Sequence, residues 1–238
     1  MNNPEHIKQH GNDTRIRIIF ATNNDNKVAE IQAAIGSSLE VIPLRAAGID
    51  IDIPEPHDTL EANATEKSST IHRLTGASCF SEDTGLEVAA LNGEPGVKSA
   101  RYAGDGRSTE DNIEKLLNKL AAATTANSAT PANSATTANS ATAPDAAASP
   151  HRQARFRTVI SLIWEGAEHH FEGVCNGHIL SAPTGKGGFG YDPIFVPEGD
   201  TRSFAQMSLE EKNQYSHRRK AADQLVTFLK NIAPGPSR

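Results

Sequence analysis

Four short segments carry residue types whose spacing suits chemistry on a charged, aromatic ligand. Phe20-Ala-Thr-Asn-Asn-Asp-Asn-Lys27 places Thr22, Asn23, Asn24, Asp25 and Asn26 between an apolar run and a helical pattern. A helix N-terminus presents unpaired N–H groups and a positive dipole end, so such a turn can cradle phosphate, with Lys27 adding a charge. The Gly-x4-Gly-Lys-Ser/Thr pattern is missing, which excludes a P-loop. The plainer reading is a polar turn in which Asn or Asp caps the helix. Ser81-Glu-Asp-Thr-Gly-Leu86 sets two adjacent carboxylates at a strand end, before a glycine. Buried unpaired, they are costly. A hard cation offsets them, and Mg2+ typically uses one or two carboxylates plus phosphate oxygens and water. Glu55, in Ile53-Pro-Glu-Pro56, can bring a further oxygen from a neighbouring loop. The alternative is a solvated acidic turn.

Gly185-Lys-Gly-Gly-Phe-Gly-Tyr-Asp-Pro193 contains Gly-x-Gly-x-x-Gly. Pro193 and the strand-like Ile194-Phe-Val196 deny it the helix that a dinucleotide site needs. What remains is a glycine loop presenting Phe189, Gly190, Tyr191 and Asp192. Aromatic faces stack on bases and a carboxylate accepts base N–H groups; a bulged loop with core aromatics is the alternative. Lys212 and Tyr215-Ser-His-Arg218 add a lysine, His217 and Arg218 near a helix start, where they can donate to phosphate or a base carbonyl. His169 and His170 fall in a strand pattern, where neighbours point to opposite faces, so they do not suit one metal. Together the clusters suggest a phosphorylated aromatic ligand and a divalent cation. The spacing does not say which bond is broken.

The elements that must position these groups alternate. Arg15 to Ala21 and Leu39 to Leu44 read as strands, and Lys27 to Ile35 as a helix with Val28, Ile31 and Ile35 on one face. Asp58-Thr-Leu-Glu61 has capping-box spacing and opens a helix to about Leu74, ended by Gly76; Ala77 to Glu82 is a short strand. Ser108 or Thr109 caps a helix carrying Ile113, Leu116, Leu117 and Leu120. Ala154 to Trp164 and Glu168 to Leu180 predict a hairpin around Gly166 with a four- or five-residue loop. Ser208-Leu-Glu-Glu211 is a second capping box before a last helix with Ala222, Leu225, Val226, Leu229 and Ile232. This order predicts an α/β layered fold with mixed strand directions.

Composition bounds the rest. The 238 residues carry a net charge of −6, which does not suit coating a nucleic acid, an affinity that rests on phosphate neutralisation. No apolar run is long enough to span a membrane. Met1 to Thr14 is a polar N-terminal tail without an apolar signal core, and 233–238 reads as a C-terminal tail. Two cysteines, Cys79 and Cys175, make no disulfide framework and point to a reduced, cytoplasmic setting. Residues 121–150 hold thirteen Ala but no Val, Ile, Leu, Met or aromatic residue, and repeat Ala-Asn-Ser-Ala-Thr three times. With nothing apolar to offset ordering entropy, this low-complexity tract is expected to be a disordered insertion in a single domain spanning 15–232.

In order along the chain, the motifs resemble the inosine triphosphate pyrophosphatase family, which removes non-standard purine nucleoside triphosphates. They are Phe-Ala-Thr-Asn-Asn-x-x-Lys27, Glu82-Asp-Thr-Gly-Leu-Glu-Val88 running on to Leu91-Asn-Gly-Glu-Pro-Gly-Val97 and Ser99-Ala-Arg-Tyr-Ala-Gly104, Gly187-Gly-Phe-Gly-Tyr-Asp-Pro-Ile-Phe195, and Glu-Glu-Lys212 with Ser-His-Arg218. The resemblance implies an elongated mixed β-sheet in two lobes flanked by helices, with a nucleotide cleft between the lobes, and a homodimer. It implies Mg2+-dependent hydrolysis of ITP, dITP and XTP to the monophosphate and pyrophosphate. By the same likeness, Thr22, Asn23, Asn24, Asp25, Asn26 and Lys27 hold phosphates. Asp83 is the catalytic carboxylate and a metal ligand, with Glu55 as second ligand. Thr84, Lys212, His217 and Arg218 contact the nucleotide, and Phe189, Gly190, Tyr191 and Asp192 surround the base. Donors aimed at a 6-keto oxygen would accept hypoxanthine or xanthine and be left unpaired by the 6-amino group of ATP. A non-catalytic purine nucleotide sensor is the alternative. Three departures stand out: Glu82 where many relatives have Asp, Arg219 where many have Gly, and the 121–150 insertion.

Overall fold

The β-branched run after Arg15 forms the strand around which the first part of the chain is built. In the computed structural model, which describes residues 16–37, 39–106, 108–128 and 150–232, strand β1 (Ile16–Phe20) lies parallel to both β2 (Leu39–Pro43) and β3 (Cys79–Val88). The sheet runs β2-β1-β3-β5-β6-β7, with β4 (Pro95–Gly96) antiparallel to β3. Here β5 is Gln153–Trp164, β6 is Ala167–Ile179 and β7 is Phe195–Pro197, the last antiparallel to β6. The helices are α1 (Asp25–Ile35), α2 (Leu60–Thr75), α3 (Thr109–Ser128), α4 (Leu209–Asn213) and α5 (His217–Ile232). The expected mixed α/β sheet flanked by helices is therefore present.

The chain divides into two compact units. One takes the residues up to Asp83, Thr158–Val174 and those from Ser216 onward; the other takes Thr84–Arg157 and Cys175–Tyr215. In the first unit, period-two alternation sends side chains to two cores. Ile18, Phe20 and Phe80 join Ile31 and Ile35 of α1 and Leu225 and Leu229 of α5. Ile19, Ala21 and Cys79 join Ile71 of α2. So α1 and α5 cover one face and α2 the other. The rings of Phe20 and Phe80 stack at 4.4 Å across β1 and β3. His169 and His170 diverge as their alternation requires: His169 packs on Phe228 of α5, and His170 meets Thr65 of α2. In the second unit Leu86, Leu116, Phe156, Phe195 and Phe204 belong to a single cluster.

Several elements differ from expectation. Asp58 does not cap α2; Thr59 does, extended one residue before the helix, its hydroxyl accepting from the Ala62 N–H. The β5–β6 connection is the two-residue turn Glu165–Gly166 rather than a longer loop. Both residues have positive φ, which matches the strands' twist. Strand β3 does not stop at Glu82 but continues through Gly85 to Val88, where a Cβ on Gly85 would stand 2.7 Å from the Gly96 carbonyl oxygen. Helix α3 continues to Ser128, into the tract expected to be disordered. Ala121-Ala-Ala123 favours helix, and extending a formed helix costs far less than nucleating one. The remainder of that tract up to residue 149 and the expected tails 1–14 and 233–238 lie outside the described residues. Arg219 sits within α5, its Nε 2.8 Å from Asp223 one turn on. Both cysteines are buried, and burial pushes the Cys79 thiol up to about 12.

Candidate functional site

Because β3 runs straight through the acidic pair, its two carboxylates leave on opposite faces of the sheet. Asp83 faces α2. Its Oδ1 lies 3.1 Å from Lys67 Nζ, and its Oδ2 is 3.4 Å from Asn63 Nδ2. The same Lys67 ammonium lies 2.7 Å from Glu55 Oε1. Lys67 and Asp83 are both buried. Two carboxylates thus share one ammonium and leave an excess of negative charge. Burial favours the neutral lysine, but Asp83 and Glu55 outweigh it and hold Lys67 above its ordinary pKa. Burial raises the Asp83 carboxyl; Lys67 and Lys27 oppose this, and Glu55 adds to it.

Glu82 faces α1 and α5. Arg218 donates to it through Nε at 2.7 Å and Nη2 at 3.1 Å, and Lys27 Nζ lies 2.9 Å from its Oε1. Arg218 Nη1 also donates to Glu30 on α1. Against the cost of full burial, Arg218 and Lys27 hold the Glu82 carboxyl well below the usual carboxylate range. Glu82 therefore anchors two of the expected substrate contacts and points away from the Asp83–Glu55 pair. His217 is buried at the start of α5.

The polar turn before α1 is built by its own asparagines. Asn24 is the cap: its Oδ1 accepts from the N–H groups of Asn26 and Lys27 at 3.0 and 3.2 Å. The Thr22 hydroxyl oxygen accepts from Asn24 N–H. Asn23 Nδ2 donates to the Ile51 carbonyl at 2.8 Å, holding the start of the loop that carries Glu55. Asp25 opens α1 as an acidic residue in its first turn.

In the second unit Lys212 and Asp192 form a buried ion pair, Nζ to Oδ2 at 2.5 Å. The same Oδ2 accepts from Phe189 N–H at 2.9 Å. Lys212 Nζ stands 5.2 Å from the Phe189 ring centre and 5.1 Å from that of Phe204. Gly188, with φ +71°, lets the carboxylate close on the loop; a Cβ there would meet Asp192 Oδ2 at 2.1 Å. Tyr191 donates to the Ser99 carbonyl at 3.0 Å, and burial raises its hydroxyl pKa. After Asp192–Ile194, a single 3-10 turn, the chain enters β7, so no dinucleotide-type helix follows the glycines. Gly190 lies in this loop with positive φ, and Thr84 follows Asp83 on β3.

The first unit thus brings Lys27, Glu55 and Asp83 into one electrostatic group, and the second brings Phe189 and Asp192 onto Lys212. Sequence reasoning missed Lys67, Asn63 and Glu30. Lys67 and Asn63 occupy buried positions on the stripe of α2 that also carries Leu60, Ala64 and Ile71. Polar residues at core positions of an amphipathic helix were the available signal. Among the described residues no group of three or more His, Cys, Asp or Glu side chains converges. The Glu55–Asp83 pair does fit a hard cation that takes its other ligands from phosphate and water.

The chain as a whole is similar to proteins already known. The family model described as the Ham1 family matches residues 18–142 and 128–228. A dITP/XTP pyrophosphatase of Flavobacterium psychrophilum is 42% identical over 216 residues, covering 91% of this chain and 100% of the relative. One of Porphyromonas gingivalis is 44% identical over 213 residues, covering 90% and 97%. The Staphylococcus aureus Ham1 protein structure superposes with a TM-score of 0.72 at 36% identity, covering 91% of this chain and 100% of that one. The Ham1 protein of Coxiella burnetii gives 0.73 at 33%, with the same coverage. With the family model, the identity level and the shared architecture in agreement, the chain belongs to the Ham1 family.

Proposed function

We propose that this chain hydrolyses non-standard purine nucleoside triphosphates (ITP, dITP and XTP) to the nucleoside monophosphate and pyrophosphate, keeping them out of DNA and RNA. The names of its relatives support the reaction class, acid-anhydride hydrolysis of dITP and XTP. The observation that carries the reading is the Asp83–Lys67–Glu55 group, with Asp83 and Lys67 buried and Glu55 half-buried: two carboxylates around one cation, with Lys27 close enough to act on Asp83. Phosphoryl chemistry needs positioned charge more than covalent partners.

Asp83 and Glu55 would hold Mg2+, which when bound neutralises phosphate charge and acidifies water. The chain's own residues do the rest. Lys27 and Lys67 supply positive charge for the phosphates. Asp83 accepts the proton of the attacking water. Lys212 offers an ammonium donor for a keto oxygen, and Asp192 accepts a base N–H, beside the face of Phe189. The reading includes a homodimer, which sedimentation tests, and a cytoplasmic setting. No helix among the described residues is long and apolar enough to cross a membrane.

The test is a substrate panel of dITP, XTP and ATP with Mg2+, measuring pyrophosphate. Turnover of dITP and XTP, with ATP far slower, is expected. Equal turnover of all three, or none, sinks the proposal. Tight ITP binding without pyrophosphate release would make the chain a sensor instead.

A further inference from the structure

Glu55 sits in a loop, residues 51–58, that has no ladder to hold it. Its ion pair with Lys67 is one tether, but Lys67 pairs with the same two carboxylates that a cation would take. A second tether is independent of that competition. Asn63, fully buried in the first turns of α2, accepts from the His57 N–H at 2.9 Å and donates back to the His57 carbonyl at 3.1 Å. The two bonds to one main-chain residue fix which end of the amide is oxygen and which is nitrogen. They leave its remaining N–H directed at Asp83 Oδ2, 3.4 Å away. Asn is a poor helix-interior residue, and a buried amide is tolerated only when satisfied. Here all its bonds lead to the two segments that carry the carboxylates.

We infer that Asn63 is a positioning residue: it clasps the 51–58 loop at His57 and orients Asp83, setting the Glu55 and Asp83 carboxylates at the spacing that a divalent cation needs. The inference rests on the proposed pyrophosphatase reading for its metal, but the clasp itself does not. Residues that orient metal ligands through hydrogen bonds act mainly on affinity, so their loss separates metal affinity from turnover.

The experiment compares wild type with Asn63→Ala and Asn63→Leu. Leucine keeps the volume and removes every hydrogen bond, while His57 is exposed enough for water to satisfy its main chain. With dITP as substrate, both variants should need about 10-fold or more Mg2+ for half-maximal rate, with kcat at saturating Mg2+ little changed. Hydrogen exchange provides a readout without metal or substrate. The His57 amide should be protected in the wild type and should exchange at loop rates in both variants, while the middle of α2 stays protected. Wild-type levels in Asn63→Leu, or a fall in kcat with unchanged Mg2+ dependence, overturn the inference. So does an unprotected His57 amide in the wild type, a result that needs no variant to fold. A wild type inactive on every triphosphate but with a protected His57 amide overturns the pyrophosphatase reading and leaves the clasp standing.

Discussion

In the first unit three cations and four carboxylates interlock: Lys67 with Glu55 and Asp83, and Arg218 and Lys27 with Glu82, Glu30 joining through Arg218. In the second unit one ammonium, Lys212, meets one carboxylate, Asp192, among the rings of Phe189 and Phe204. The first set keeps an excess of negative charge, which favours an added cation. The second sets one positive charge against one negative, which offers directional donors and acceptors. The proposed reading gives each set its own task, charge handling in the first and polarity matching in the second. Replacing Asp83 with Asn tests the first half most directly. Its loss as a proton acceptor should lower kcat about 10²–10⁴-fold, read as pyrophosphate release at saturating dITP. Full activity would remove Asp83 from its role.

Stability sharpens the comparison next. Removing one partner of a buried ion pair costs about 3–5 kcal/mol, because the other charge stays buried and uncompensated. Lys212→Met takes the ammonium from the single carboxylate of Asp192, and Arg218→Met takes the guanidinium from both Glu82 and Glu30, leaving Lys27 on Glu82. Urea unfolding should therefore show Arg218→Met as the more destabilised of the two. Equal losses would mean that Lys27 alone satisfies Glu82.

How far these regions were legible in the sequence differs in the same way. The glycine loop could be read because its parts are contiguous: Phe189, Asp192 and the glycines lie within a few residues, and Lys212 follows shortly after. The Ser208–Glu211 capping box was also local and is formed in both directions. The first unit's network is assembled over long separations, Arg218 reaching Glu82 and Glu30 from the far end of the chain. The sequence showed Glu82-Asp83 as a pair at a strand end. Only the continuation of β3 through Gly85 reveals that alternation splits them. Lys67 and Asn63 were hidden because a helix pattern weights apolar residues, and two polar ones on its buried face look like noise until their partners are known.

Gly188 tests whether the second region depends on close backbone approach. Alanine there would pay left-handed strain of about 1–2 kcal/mol and push against Asp192 Oδ2, the atom that also takes Phe189 N–H and Lys212. A KM for dITP raised about 10-fold, the equivalent of 1.4 kcal/mol, is expected with kcat less affected. An unchanged KM would free Asp192 from any part in binding.

The smallest expected effect lies on the surface of the second unit, where Arg202 Nη1 meets Glu211 Oε1 at 2.7 Å and Ser208 N–H donates to Glu211 Oε2 at 2.8 Å. Arg202, then the Ser208 contacts, hold the Glu211 carboxyl down to about 2, against about 4.3 in an unfolded chain. A carboxyl depressed on folding stabilises above its unfolded pKa, and that contribution fades as pH falls from about 4.3 towards about 2. Glu211→Gln separates charge from cap, because glutamine still accepts from Ser208 N–H in a capping box. The variant should melt slightly below wild type near neutral pH, and the gap should narrow with acid. Added salt should narrow it too, since the pair is exposed and screened. A gap that stays constant with pH would place the stabilisation in the cap and leave the ion pair without a measurable share. In the first unit, where the ion pairs are buried, salt should leave the Arg218→Met loss nearly untouched.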